Sequence, residues 1–200
     1  MMMKRIYFAL FLAAGFGFAF TNPASAPVNV PIDLASSYVK WTGYKVTGKH
    51  FGKVRIKSGS LAYTDGALTG GSFVLDMKTI SVEDITGAYA DKLKGHLLSD
   101  DFFGVEKHPT AKFDITKAIS RGTPGAYKII GNLTIKGITK EIRFNADLKE
   151  EGGKTVGLAK ITIDRSEYDI RFGSGTFFEN LGDKTIYDDF DLEVNLVSGK

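Results

Sequence analysis

Apolar and polar residues alternate along most of the chain beyond residue 30. In one such run, Ala159, Ile161 and Ile163 alternate with Lys160 and Thr162. A period of two places every second side chain on the same face of a β-strand, so the run predicts a strand with one buried and one solvated face. Eight runs of this kind follow one another, separated by short turn segments. The chain is therefore predicted to be mainly β-sheet.

One segment departs from this period and has the spacing of a helix. Its apolar residues recur every four positions, at Ile85, Tyr89, Leu93 and Leu97. The preceding Ser81-x-x-Asp84 is typical of a helix capping box, so we expect a helix over Val82 to Leu98. On that helix His96 would lie on an apolar face as a hydrogen-bonded core residue.

The pattern of many strands and one helix indicates how the sheet is arranged. Parallel strands need a long crossover connection each, and the sequence offers only one helix, so the strands are expected to be antiparallel. Closure into a barrel removes the exposed sheet edges that such strands would otherwise leave. The predicted fold is therefore all-β, an eight-stranded antiparallel β-barrel with one helical insertion.

The interior of such a barrel is either filled by side chains or wide enough to hold one small or elongated apolar ligand. Strand parity assigns to the lumen Phe73, Leu75, Phe113, Ile115, Ile129, Leu133, Phe144, Ala146, Ala159, Ile161, Leu192 and Val194. Small inward residues, among them Gly43, Gly131 and Gly157, leave volume that a packed core would fill. The same glycines suit bulges and barrel corners, and both interpretations stay open.

The first 26 residues have the pattern of a secretory signal peptide. Lys4 and Arg5 form a basic region, an uncharged apolar run follows from Ile6 to Phe20, and Ala24-Ser25-Ala26 is a small-residue cleavage site. The apolar run is shorter than the roughly 20 residues that a bilayer span needs. We expect cleavage before Pro27, export to the periplasm, and one mature domain over residues 27–200.

Charge and cysteine content exclude some functions. The formal net charge of the whole chain is +3 and falls to +1 when Lys4 and Arg5 leave with the signal peptide. The mature chain has no run of like charges, so a nucleic acid partner is not expected. The chain has no cysteine, so it depends on neither disulfides nor a reducing compartment.

The sequence offers little catalytic chemistry. His50, His96 and His108 lie in three separate segments, without the spacing that brings two metal ligands onto one face. Ser174 lies between two glycines in an apparent flexible loop, with no nucleophile-elbow motif. We therefore expect no enzyme, metal or cofactor, although a metal-dependent enzyme that uses the histidines remains an alternative.

Short motifs spread over the mature chain carry a family resemblance. They are Trp41, Lys45-x-x-Gly48-x-His50-x-Gly52, Gly70-Gly71-x-Phe73, Asp76-Met77, Leu93-x-x-His96-Leu97-x-Ser99-x-Asp101-Phe102-Phe103, His108-Pro109-Thr110-Ala111-x-Phe113, Gly131-Asn132-Leu133-Thr134-Ile135-x-Gly137, Arg165 and Tyr187-x-Asp189. Together they closely resemble the YceI-like family from Pro31 to Val197. The resemblance implies an exported lipocalin-like barrel that binds a long polyisoprenoid in its lumen, in a family linked to isoprenoid or isoprenoid-quinone handling. It carries over no catalytic residue.

The leading hypothesis is an exported binding protein that holds a polyprenyl or isoprenoid-quinone lipid for transport or storage. A head group at the mouth of the lumen would need donors, and the candidates are Lys45, His50, His96, Arg165 and Arg171. For the two arginines, surface pairing with Asp164 and Asp169 is the alternative role. Transient membrane contact and a homodimer are left open, as is a filled barrel that serves only as an interaction module.

Overall fold

A computed structural model describes residues 25–198. The strands in this part of the chain form one closed sheet. The strands are β1 (Val28–Pro31), β2 (Tyr38–Lys45), β3 (Gly48–Thr64), β4 (Ala67–Asp76), β5 (Thr110–Ser120), β6 (Ala126–Ile135), β7 (Ile138–Glu151), β8 (Lys154–Asp164) and β9 (Ile186–Val197). The helix is α1 (Ala88–Leu98), and three short 3-10 helices span Met77–Thr79, Arg165–Tyr168 and Gly182–Lys184.

Eight strands close the barrel. Their order is β3, β2, β9, β8, β7, β6, β5 and β4, and β4 pairs back to β3, with every pair antiparallel. This confirms the predicted eight-stranded antiparallel barrel with one helical insertion. The short β1 is an additional strand that pairs with the distal half of β3. Strand β3 has 17 residues, and its pairing with β4 shifts register between Ile56 and Ser58.

Gly131 at the barrel wall serves backbone geometry. The ladder between β5 and β6 shifts register after the pair Ile115–Gly131. A Cβ on Gly131 would lie 2.5 Å from Cζ of Phe113 and 2.6 Å from the carbonyl oxygen of Asp114. The volume beside Gly131 is thus occupied by the Phe113 ring, which supports the bulge and corner interpretation at this position.

The predicted helix over Val82–Leu98 is wrong in its first turns, because α1 begins only at Ala88. The side chains of the expected capping box are used on β3 instead. Oδ1 of Asp84 accepts a hydrogen bond from the amide of Phe51, and Oγ of Ser81 accepts one from the amide of Lys53. Residues 81–86 therefore lie along β3 as an irregular segment.

A glycine in β3 makes this close approach feasible. A Cβ on Gly52 would lie 1.9 Å from the carbonyl oxygen of Ser81, so no larger residue fits there. The same carbonyl accepts a hydrogen bond from Nε1 of Trp41 at 3.1 Å. The segment that leads into α1 is thus held against the wall of the barrel.

Two segments cover the end of the barrel at which α1 lies, called here the helix end. After α1 the chain turns through Phe102 and Val105, which are buried together with Leu97. After β8 the 3-10 helix Arg165–Tyr168 places Tyr168 in the core, followed by the fully buried Ile170. These segments turn the open mouth of a barrel into a covered one.

Residues 1–24 carry most of the predicted signal peptide and lie outside the described part of the chain, so that prediction stays untested. Between residues 25 and 198, no helix has both the length and the apolar character to cross a membrane.

Candidate ligand-binding cavity

The barrel contains two adjoining apolar compartments. The lower compartment, within the strands, has a volume of about 110 Å³, and the upper compartment, beneath the segments at the helix end, has about 150 Å³. Four residues line both compartments: Val39, Leu75, Leu133 and Leu192. The two compartments are thus adjacent, and together they extend from the strands to the helix end.

The lower compartment is lined by the inward side chains of the strands. All twelve residues that strand parity assigned to the lumen line it. Ile161 and Phe144 are only half-buried although they point inward, because part of their surface faces the cavity. The rings of Phe113 and Phe144 lie 5.5 Å apart between centroids and form an aromatic part of the wall. That these residues contact a ligand stays a prediction.

Further lining residues were not among the twelve predicted. Ile142 and Leu196 line the lower compartment and continue the alternation of their strands, so strand parity could have found them. Ile56 and Leu61 of β3 also line it, but they are an odd number of residues apart and share the inward face only because β3 shifts register between Ile56 and Ser58. The upper compartment is lined partly by Phe102, Phe103, Leu93 and Leu97. Strand alternation could not predict these four, because they lie on α1 and in the segment that follows it.

An open cleft lies outside the upper compartment and is called here the outer cleft. It has a volume of about 970 Å³ and lies between the β2–β3 turn and the exposed face of α1, where Tyr89 and Lys92 contribute. Lys45, His50, Leu93 and His96 line both the outer cleft and the upper compartment. Three of the five predicted mouth residues therefore lie where the cavity meets the surface.

His50 is held by a carboxylate in this cleft. Nδ1 of His50 lies 2.7 Å from Oδ2 of Asp84, whose other oxygen accepts the amide of Phe51 at 2.9 Å. Burial opposes the charge of Asp84, but the hydrogen bonds from the Phe51 amide and from His50 outweigh it and lower the pKa of Asp84. His50 is thus a strand residue whose ring is held by Asp84.

His96 occupies a different environment from the one expected. Its ring is half-buried and makes edge contacts with the rings of Phe172, at 4.2 Å between centroids, and Phe102, at 5.6 Å. Its Nε2 atom is buried and has no hydrogen-bond partner within residues 25–198. The expected hydrogen-bonded core histidine is therefore wrong. His96 is a polar group held among aromatic rings at the edge of the cavity.

The histidines do not form a metal site in the described part of the chain. His50 pairs with Asp84, His96 packs on aromatic rings, and His108 lies in the loop before β5. Within residues 25–198 no three His, Cys, Asp or Glu side chains come close enough together to hold a metal ion. The arrangement gives the metal-dependent alternative no geometric support.

Arg165 is a buried structural cation. The surface pairing with Asp164, which was its alternative role, is therefore wrong. It is 2% exposed, and its guanidinium donates to the carbonyl oxygens of Ile170 at 2.7 Å, Ile186 at 2.9 Å and Tyr187 at 3.1 Å. Burial lowers the pKa of Arg165, and the nearby Asp188 and Asp164 partly offset this. Arg165 lines the upper compartment, but each of its three guanidinium nitrogens already donates to a carbonyl oxygen.

Ser174 and Arg171 belong to the same long loop and differ in burial. Ser174, expected in a flexible loop, is fully buried and donates from Oγ to Oδ2 of Asp188 at 2.9 Å. Arg171 is exposed, pairs with Asp169 as the surface interpretation proposed, and lies over the Phe177 ring at 4.9 Å. Arg171 does not line either compartment or the outer cleft.

Comparison with known proteins identifies the family. The YceI-like domain model matches residues 31–198. A UPF0312 protein of Photorhabdus laumondii is 32% identical over 122 residues, which cover 61% of this chain and 62% of that protein. The match thus spans less than two thirds of the length of this relative.

Two solved structures share the fold. BcnA of Burkholderia cenocepacia has a TM-score of 0.67 at 18% identity, with 84% of this chain and 99% of that chain covered. A polyisoprenoid binding domain from Saccharophagus degradans, implicated in plant cell wall breakdown, has a TM-score of 0.65 at 12% identity, with 86% and 98% covered. The family model covers most of the chain, and the protein therefore belongs to the YceI-like domain family.

Proposed function

We propose that this protein holds a long-chain isoprenoid lipid, of the polyprenyl or isoprenoid-quinone type, inside its barrel for transport or storage. The observation that carries the proposal is the pair of adjoining compartments with aliphatic and aromatic walls. The likeness of the fold to a polyisoprenoid binding domain supports the same ligand class.

The chemistry of the wall suits this ligand. A polyisoprenoid chain exposes methyl-branched alkene surface and has no group that needs a hydrogen bond. An apolar wall therefore leaves nothing unsatisfied, and each Å² of apolar surface removed from water contributes about 25 cal/mol. A preformed pocket also spares the ordering of the wall on binding.

We place the head group in the outer cleft. Lys45, His50 and His96 line the passage between this cleft and the upper compartment. A quinone carbonyl or a phosphate oxygen accepts hydrogen bonds, and these side chains carry the nitrogen donors for it. The unpartnered Nε2 of His96 is the donor or acceptor whose burial a head group would compensate.

We also propose that the protein works in the periplasm after removal of residues 1–26. The proposal rests on the basic, apolar and small-residue regions of the sequence. Cell fractionation and N-terminal sequencing test it, with Pro27 as the expected first residue. Uncleaved protein in the membrane fraction would contradict it.

A periplasmic lipid carrier has to exchange its ligand with a membrane, and we propose transient contact at the helix end. Tyr89 of the outer cleft is 80% exposed, and Phe172 and Phe178 are 45% and 49% exposed. Aromatic side chains are favoured at the boundary between lipid and water.

The decisive experiment is a native mass spectrum of the purified mature protein, followed by organic extraction. We expect a mass in excess of the polypeptide that disappears on extraction, with an isoprenoid in the organic phase. A bare mass, together with no uptake of geranylgeraniol from phosphatidylcholine vesicles, would favour the filled barrel. A fall in melting temperature with a chelator would instead favour the metal-dependent enzyme.

A further inference from the structure

The barrel wall is incomplete between β7 and β8. These strands pair only near their hairpin, from Glu151–Lys154 to Ala146–Ala159. Beyond Ala146 and Ala159 no register pair joins the two strands in the described part of the chain. Residues 138–145 of β7 then pair only with β6, and residues 160–164 of β8 pair only with β9. We call the opening between these two stretches the side gap.

The side gap borders the lower compartment. Ile142 and Phe144 of β7 and Ile161 of β8 lie on its two sides, line the compartment and are only half-buried. Lys140 shares the inward face of β7 with Ile142 and Phe144, yet it is exposed. At Lys140 the inner face of β7 therefore reaches solvent beside the gap, whereas Ile142 and Phe144 on the same face line the cavity.

A single hydrogen bond bridges the gap at the helix end. Nζ of Lys136, in the turn before β7, donates to the carbonyl oxygen of Asp169, which follows β8 and its 3-10 helix, at 2.9 Å. Both residues have positive φ, 50° for Lys136 and 57° for Asp169, a conformation that is uncommon for residues other than glycine. The bond is exposed and joins a flexible side chain to the backbone, so it breaks easily.

We propose that the side gap is the route by which the apolar chain of the ligand passes into and out of the lumen. This inference rests on the proposed function, since it concerns how the proposed lipid reaches its site. A chain that passes sideways between two strands slides in along its length, with apolar side chains on both sides. The head group stays outside, near the helix end.

Opening the wall between β8 and β9 or between β6 and β7 would require a ladder to break. β8 and β9 share nine register pairs, and β6 and β7 share ten. Between β7 and β8 those bonds are already absent over the stretch that borders the cavity, so widening the gap costs only side-chain contacts and the Lys136 bond. The outer cleft, in contrast, carries the charged groups Lys45, Lys92 and Asp101, and a long chain would have to thread past them end-on.

The test is a reversible covalent cross-link across the gap, called here a staple. Because the chain has no cysteine, no other thiol competes. Asn145 and Lys160 are exposed and continue the register of Ala146 and Ala159. In the Asn145→Cys/Lys160→Cys variant, a disulfide joins the two strands outside the lumen. If the thiols do not oxidise, a short bis-electrophile makes the same cross-link. Intact mass confirms closure.

The control uses the same cysteine with another partner. Lys160 pairs in register with Glu193 of β9, so Lys160→Cys/Glu193→Cys staples a ladder that is already complete and leaves the gap open. The measured quantity is the rate of uptake of radiolabelled geranylgeraniol from phosphatidylcholine vesicles. We expect the gap staple to slow uptake by an order of magnitude, reduction of the disulfide to restore it, and the control to match the unmodified protein.

A second variant tests the proposal in the opposite direction. Lys136→Met removes the bond to Asp169, and we expect uptake to become faster by roughly three- to tenfold, the factor that one exposed hydrogen bond allows. Lys128→Met, at an exposed position of β6 away from the gap, should leave the rate unchanged.

The uptake rates distinguish a failure of the side gap from a failure of the proposed function. No uptake by the unmodified protein would overturn the proposed function. Normal uptake by the unmodified protein with an equal rate in the stapled variant would overturn the side gap alone, and would assign passage to the outer cleft.

Discussion

The guanidinium of Arg165 lies 3.2 Å from Oδ1 of Asp188, with the two side chains only 2% and 18% exposed. Oδ2 of the same carboxylate accepts hydrogen bonds from Ser174 at 2.9 Å and Thr176 at 2.7 Å. The pair therefore ties β9 to the start and to the middle of the long loop after β8. This loop forms part of the cover over the upper compartment.

Removal of the Arg165 guanidinium should lower the free energy of unfolding. Arg165→Met leaves Asp188 without its cation and removes the guanidinium donor from three carbonyl oxygens, so we expect a loss of about 3 to 5 kcal/mol in the free energy of unfolding. Arg171→Met is the matched control, because Arg171 makes only exposed contacts, with Asp169 and with the Phe177 ring, and its removal should cost less than about 1 kcal/mol. Urea denaturation of the two variants measures both values. Equal losses would contradict the structural role of Arg165.

The carboxylate of Asp84 should make the free energy of unfolding decrease at acidic pH. Its pKa in the folded protein lies below the unfolded value of about 3.9, so its contribution is fully present above that pH and is lost as the pH falls through the folded pKa. Asp84→Asn should lower the melting temperature at pH 6 and flatten its dependence on pH below about pH 4. Asp114→Asn, at an exposed position on β5, serves as the control. An unchanged acid dependence in Asp84→Asn would refute the assignment.

Ala159 offers a direct test of whether the lumen is open. Ala159→Trp adds a large side chain to the lower compartment, and we expect near-normal stability with much less lipid bound per mole of protein. In a filled barrel the same change would overpack the core at a cost of about 1 to 3 kcal/mol. Lys160→Trp places the same ring on the outer face and should affect neither quantity. Melting temperature and extracted lipid are measured on the same samples.

Two glycines should respond to alanine in opposite directions. At Gly131 the added Cβ meets the Phe113 ring and the backbone of Asp114, so we expect Gly131→Ala to cost about 1 to 3 kcal/mol. At Gly95, inside α1, the Cβ meets nothing within 4 Å, so Gly95→Ala should stabilise the protein by up to about 1 kcal/mol through helix propensity. Thermal unfolding gives both differences, and a stabilised Gly131→Ala would show that the corner is not tight.

The sequence by itself determined the strands, their inward faces and the closed antiparallel sheet. Alternation is a local property of the backbone, because successive side chains of any strand point to opposite faces. For this reason Phe144, Ala146, Ala159 and Ile161 could be assigned to the interior from parity alone, and all four line the lower compartment.

Only the tertiary structure decided what lies at the helix end. The partners of Arg165 and Ser174 come from Ile170 and from residues 186–188, so no local pattern distinguishes a buried arginine from an exposed one. Likewise, Ser81 and Asp84 have a capping-box spacing but bind β3, since Gly52 leaves room for the chain to approach.

The side gap could not be predicted from the sequence either. β7 and β8 alternate as regularly as the other strands, and alternation sets which face is buried but not how far two neighbouring strands stay paired. How far they stay paired depends on the twist of the whole closed sheet and on the segments packed at its end. The residues of the lumen wall were therefore set by local periodicity, and the openings in that wall by the three-dimensional packing of the barrel.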